Sequence, residues 1–180
     1  DGHYDEMVTA SGEIRPSYQA IADYFTGITV KQLQNRHHFI EKALMSLGIT
    51  FNVYHDSEGT ERIFPVDIIP RVISHVEWTT ITAGLKQRIT ALNLFLDDIY
   101  NEQLILKDGV IPFDIVLSSK GYLTPCIGLK PPKGIWCHIT GTDLIREQNG
   151  QYSVLEDNLR CPSGVAYVLE NREMMKRAFS

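Results

Sequence analysis

"GTDLIREQNGQYSVLEDNLRCPSG", residues 141–164, is the stretch that decides how this chain is read. Two extended runs flank Asn149-Gly150, and such a pair between alternating runs is the strongest short-range signal for a β-hairpin. Taking Asn149-Gly150 as a two-residue type I′ loop pairs Gln148 with Gln151 and sets every later partner. Under that register Asp143 lies directly opposite Glu156, and Asn158 lies opposite Gly141. Side chains alternate along a strand, so Asp143, Glu156 and Asn158 share one face, together with Ile145 and Val154.

Like charges placed directly opposite each other destabilise an antiparallel pair. At that separation two carboxylates ionise together only with a proton or a cation between them. The all-oxygen set points to a hard divalent cation such as Mg²⁺, and the absence of His and Cys from the face argues against zinc. Gly141, opposite Asn158, would leave room for a ligand. The plain alternative is that the two acids are simply solvated, and a longer loop would move Asp143 to the other face.

Working outward, "PSYQAIADYF" (16–25) reads as a first helix, and residues 33–47 carry apolar residues at helical spacing up to Gly48. "ITFNVYH" (49–55) and "ERIFPV" (61–66) read as strands around the turn "DSEGT", with Pro65 and Pro70 bracketing an irregular connection. Ser74 and Glu77 form a capping-box pattern ahead of a long helix whose stripe holds Trp78, Ile81, Leu85, Leu92, Phe95 and Ile99. That stripe makes Trp78 and Asn93 core residues rather than site residues. "IPFDIVLSS" (111–119) reads as a short strand, "LKPPKG" (129–134) as a loop and "IWCHIT" (135–140) as another strand. "SGVAYVLENREMMKRAF" (163–179) reads as a last helix with Val165, Val168 and Leu169 on its buried side. That helix runs on without a stop signal, and we expect the natural polypeptide to continue. The fold class expected is mixed α/β, with an N-terminal helical and mixed region over 1–125 and the hairpin and following helix over 126–180.

Length and composition bound the function. The chain has 180 residues, 43% hydrophobic and 22% charged, a size and balance that support a sizeable core. A formal net charge of −5 without a dense Lys/Arg patch gives no footprint for nucleic acid. No apolar run has the length of a membrane helix, and three cysteines without CxxC spacing fit a reducing cytoplasm.

Glu156-x-Asn158 followed by Pro162 and Gly164, with an Asp on the preceding strand, resembles the metal hairpin and substrate loop of ATP-grasp ligases. The wording "GTDLIRE" and "YSVLEDNLRCPSGVAYVLENR" is more specific. With "FPVDIIPRVISHVEW", "LNLFLDDIYNEQLILKDGVIP" and "KPPKGIWCHITGTDL", it resembles the circularly permuted ATP-grasp proteins, glutathionylspermidine-synthase-like or carboxylate-amine ligase-like. The likeness runs from about Tyr4 to the end.

The resemblance implies an ATP- and Mg²⁺-dependent ligase that joins a small-molecule or peptide carboxylate to an amine through an acylphosphate. It implies Mg²⁺ on Asp143, Glu156 and Asn158, with Arg160 near the phosphate or acylphosphate and Ser163 and Gly164 in the substrate loop. Related ligases can carry an Arg two positions before the first metal carboxylate, where this chain has Gly141. The nucleotide-binding lysines and the glycine-rich lid would follow the hairpin in a permuted chain, so this piece alone is expected to be inactive. Two other readings stand beside it. One is a non-enzymatic partner-binding or degenerate homologue; the other is a hydrolase using Cys161, with His138 or His55 as base.

Overall fold

The computed structural model describes residues 4–52 and 61–179. Contacts divide the chain into two compact units, one drawn from Asp1–Ser74, Glu147–Gly150 and Ser163–Ser180, the other from His75–Arg146 and Gln151–Pro162. The architecture is mixed: six α-helices and two separate two-stranded antiparallel sheets among the described residues.

In the first unit, α1 (Gln19–Thr26) follows a single turn that opens on Pro16, and α2 (Val30–Ser46) begins at Thr29. Thr29 accepts from the Gln32 backbone N–H while the Gln32 side chain accepts from the Thr29 backbone N–H. This reciprocal capping box satisfies two otherwise orphaned donors. Gly48, at φ +67, ends the helix as expected. The strands β1 (Thr50–Asn52) and β2 (Glu61–Ile63) pair antiparallel, while the turn 56–60 and His55 lie outside the described residues.

The core of this unit joins Ile40 and Leu44 of α2 to Ile68 and to Met174 of α6 (Val165–Ala178). On α6 the buried stripe is therefore Met174 with Tyr167, Met175 and Ala178 alongside it. Val165, Val168 and Leu169, expected inside, are exposed. Residues 165, 168 and 169 lie on the side of the helix opposite 167, 174 and 178 at 3.6 residues per turn. Only one of those two apolar stripes faces α2.

The second unit is built on α3 (His75–Tyr100), a 26-residue helix. Ile81 and Ile99 are buried along the expected stripe and Tyr100 is buried beside it, whereas Trp78, expected in the core, is 52% exposed. The core gathers Ile99, Tyr100, Leu106 and Val116, and the Tyr100 ring stacks between Tyr122 and Trp136, each centroid 5.0 Å away. The short α4 (Leu104–Lys107) is held at its start by Asp98, whose carboxylate accepts from the Leu104 and Ile105 backbone N–H groups at 2.9 Å.

Two strands expected in this region do not form. Residues 113–117 are the helical turn α5: Pro112 sits at φ −60 as its N-cap, and the buried residue is Val116, which lies outside the Phe113, Ile115, Leu117 alternation. Residues 135–140 are irregular: the Asn93 side-chain oxygen takes the Trp136 N–H at 2.7 Å and the Cys137 N–H at 3.4 Å, donors that a strand would give to a neighbour. Asn93, expected in the core, is half-buried and also donates to the Gly134 carbonyl oxygen at 2.8 Å.

The hairpin pairs β3 (Gly141–Arg146) with β4 (Tyr152–Asn158). Its loop is longer than the two residues of a type I′ turn: Arg146 pairs with Tyr152, which leaves the five residues 147–151 between the paired ends and sets the register one residue off, and the Gly150 N–H closes a turn onto the Glu147 carbonyl oxygen at 2.8 Å. Gly150 takes the left-handed conformation at φ +84, and Asn149 does not join it. A register that is off by one at the loop would send Asp143 to the wrong face. A β-bulge between Asp143 and Leu144 absorbs the extra residue, Leu155, on β4. Beyond the bulge the partners are Asp143 with Glu156 and Gly141 with Asn158, as the two-residue loop had implied. The two departures cancel. One consequence does not: Val154 now pairs with Leu144, so it leaves the acidic face for the opposite one.

Candidate functional site

Asp143, Glu156 and Asn158 occupy one face of the β3–β4 hairpin, and all three are exposed. Asn158 donates from its amide nitrogen to the Glu156 carboxylate at 2.9 Å, which turns its own carbonyl oxygen to the remaining space. No hydrogen bond or ion pair to Asp143 is formed among the described residues. The donor set is thus two carboxylates and one amide oxygen, the composition a hard cation such as Mg²⁺ takes when waters and phosphate fill the other positions. In that respect the residues fit the ion. No group of three His, Cys, Asp or Glu side chains among the described residues is arranged to hold a metal.

Gly141 does not leave the open space expected opposite Asn158. A Cβ built there would come 2.8 Å from the Pro162 Cβ and 3.8 Å from the Asn158 Cβ. The Cys161-Pro162 segment folds back over the end of β3, and glycine is required because proline occupies the volume a side chain would need. That packing also accounts for the missing arginine two positions before Asp143.

Arg160, two residues past the strand end, is exposed and makes no ion pair among the described residues. At the start of α6 the N-cap is Gly164, at φ +92, rather than Ser163, and no side chain caps the helix. The Ser163 side chain therefore does not act as a helix cap. Cys161 is exposed, forms no disulfide and shares no hydrogen bond with His138, and His55 lies outside the described residues. Among the described residues no base is hydrogen-bonded to the Cys161 thiol. Burial pushes the Cys137 thiol up from its ordinary range, which makes it less reactive still.

The opposite face of the hairpin carries residues that the hairpin pattern alone did not single out. Thr142 and Asp157 face each other there, and the Thr142 hydroxyl donates to the Asp157 carboxylate at 2.9 Å. The other carboxylate oxygen accepts from Arg88 Nε of α3 at 2.5 Å. Nearer the loop, Arg146 pairs with Glu77 of α3 and lies over the Tyr152 ring at 4.8 Å. The signal for this pairing was in the sequence: Glu77 and Arg88 are eleven residues apart, about 20° apart around a helix of 3.6 residues per turn. Reading Glu77 only as part of a helix cap hid it.

No helix among the described residues is long and apolar enough to cross a membrane. Residues 70–180 match the family described as circularly permuted ATP-grasp type 2. An uncharacterised protein of Synechocystis sp. is 56% identical over 176 residues, 98% of this chain and 37% of its own length. An uncharacterised protein of Mycobacterium tuberculosis is 45% identical over 176 residues, 98% of this chain and 31% of its own. A Frankia casuarinae protein named "Putative glutamate–cysteine ligase 2-2" is 39% identical over 173 residues, 95% of this chain and 20% of its own length. The chain thus spans roughly a third or less of the curated relatives it matches. On the match across residues 70–180, the chain belongs to the circularly permuted ATP-grasp family, type 2.

Proposed function

We propose that this chain carries the metal-holding hairpin of an ATP-dependent carboxylate–amine ligase. The observation that supports the reading most is the bulge at Leu155, which returns Asp143 to a position opposite Glu156 and beside Asn158 after the longer loop had shifted the register. An arrangement kept by two offsetting irregularities on an open face is hard to explain as two solvated acids.

In this reading Glu156 is the central ligand, with Asp143 and Asn158 on either side, and the amide N–H of Asn158 fixes the Glu156 carboxylate. Asp143, Glu156 and Asn158 would hold Mg²⁺, and the ion would supply neutralisation of negative charge on a phosphoryl group. Arg160, which makes no ion pair among the described residues, offers a planar guanidinium to a phosphate or acylphosphate. The first turn of α6 presents the backbone N–H groups that follow Gly164, and such groups together with the helix dipole favour an anionic substrate group. Ser163 would add its hydroxyl to that loop. The name of the Frankia relative suggests amino-acid-like partners, a carboxylate on one side and an amine on the other.

The test is nucleotide binding by the full-length protein, measured calorimetrically with and without Mg²⁺. Binding is expected to depend on Mg²⁺ and to be lost in Glu156→Gln and Asp143→Asn while the fold stays intact. Nucleotide binding that ignores Mg²⁺ and survives both substitutions would refute the reading.

A further inference from the structure

Residues 142 and 157 alternate with the three proposed metal ligands along their strands, so they lie on the reverse face. There the side chain of Asp157 is only 8% exposed, and it is engaged at both oxygens, by the Thr142 hydroxyl at 2.9 Å and by Arg88 Nε at 2.5 Å. Asp157 is the residue between Glu156 and Asn158, and Thr142 is the residue before Asp143. A single carboxylate therefore ties together, from behind, the backbone segments that carry all three ligands.

The tie is anchored to a rigid element. Glu77 and Arg88 project from one side of α3 about 16 Å apart along its axis, at 1.5 Å per residue. Their partners on β3, Arg146 and the Thr142–Asp157 pair, are separated by about 14 Å at 3.4 Å per residue. The spacings match, so α3 lies along the back of the hairpin with its N-terminal end at the loop side. The charges alternate as well: the helix offers an acid to Arg146 and a base to Asp157. Sliding or reversing the hairpin on the helix would oppose like charges.

We propose that Asp157, locked by Arg88 and Thr142, is the positioning residue of this metal site, setting the separation and orientation of Asp143, Glu156 and Asn158 from the far face of the sheet. The inference rests on the ligase reading above and deepens it. Partners one layer behind metal ligands set ligand orientation, and their loss weakens metal affinity by about 10–100-fold.

The experiment uses Mn²⁺ as the probe, in the full-length protein with ATP present, with free Mn²⁺ followed by its electron paramagnetic resonance signal. Asp157→Asn keeps the shape and removes the charge; Arg88→Met removes the other half of the pair at a side chain that is 47% exposed, so folding should survive. Both variants are expected to weaken Mn²⁺ binding about tenfold or more, with Arg88→Lys recovering part of the loss. Mn²⁺ affinity equal to wild type in both variants, whatever happens to the unfolding temperature, overturns the positioning role and leaves the ligase reading standing. Equal weakening in Arg88→Lys and Arg88→Met overturns the ion pair as its cause. If wild type and Glu156→Gln bind Mn²⁺ alike, the ligase reading itself fails and the positioning role falls with it.

Discussion

Gly150 and Gly141 are both glycines of the same hairpin, and the structure needs each for a different reason. Gly150 stands at φ +84, where an L side chain is strained, and a Cβ there would also lie 2.7 Å from the Tyr4 ring. That ring is itself fixed, with the Arg15 guanidinium 4.3 Å above its centre. Gly141 has ordinary backbone angles and is excluded from carrying a side chain only by Pro162. Gly150→Ala is therefore expected to lower stability by about 1–2 kcal/mol from the left-handed backbone alone, with the ring clash adding to it. Thermal unfolding of the purified variant reads this directly. An unchanged midpoint would mean that the loop can adopt another turn without cost.

At the scale of elements, the helices were legible because their apolar period and their end signals agree. Thr29 and Gly48 bound α2, and the long stripe marks α3 down to Tyr100. The misread elements are those in which a single residue overrides a pattern. Alternation in 111–119 suggested a strand, but Pro112 starts a helical turn. Alternation in 135–140 suggested another, but Asn93, more than forty positions away, takes its backbone donors. On α6 two apolar stripes compete, and the choice depends on α2, which no local rule can see. The hairpin is the instructive case. Its acidic face was legible, its loop length was not, and the register came out the same because Leu155 forms a bulge. That geometry has a sharp consequence. Deleting Leu155 should leave Val154 opposite Leu144 and Glu156 opposite Asp143 in a regular ladder, so Mg²⁺-dependent nucleotide binding should survive in the full-length protein. Inserting one alanine between Asp143 and Leu144 also regularises the ladder, but it turns Asp143 and Glu156 toward α3. Binding should then be lost. The reverse pattern in the same calorimetric assay would show that the bulge, rather than the face, is what the site requires.

Taken whole, the hairpin offers a face with two carboxylates, and the nearest cationic residue along β4 and its exit is Arg160. A nucleotide triphosphate carries more negative charge than one divalent cation and the guanidinium of Arg160 neutralise together. Charge of that size on a water-excluded ligand requires further cationic or N–H donors aimed at the phosphates. Among the residues of the hairpin unit, Arg146 and Arg88 are already committed to Glu77 and Asp157 on the opposite face. Relatives of this chain are about three times its length or more, so the missing donors have room to come from outside these residues. We therefore expect the 180-residue chain alone to show no ATP turnover, even where Mn²⁺ binds its hairpin. The full-length protein should release ADP only when both a carboxylate and an amine substrate are supplied. A coupled assay for ADP, run on both proteins with panels of amino acids as donors and acceptors, distinguishes these outcomes. Turnover by the short chain would mean that the phosphate charge is balanced within these residues, and the division of labour argued from charge would be wrong.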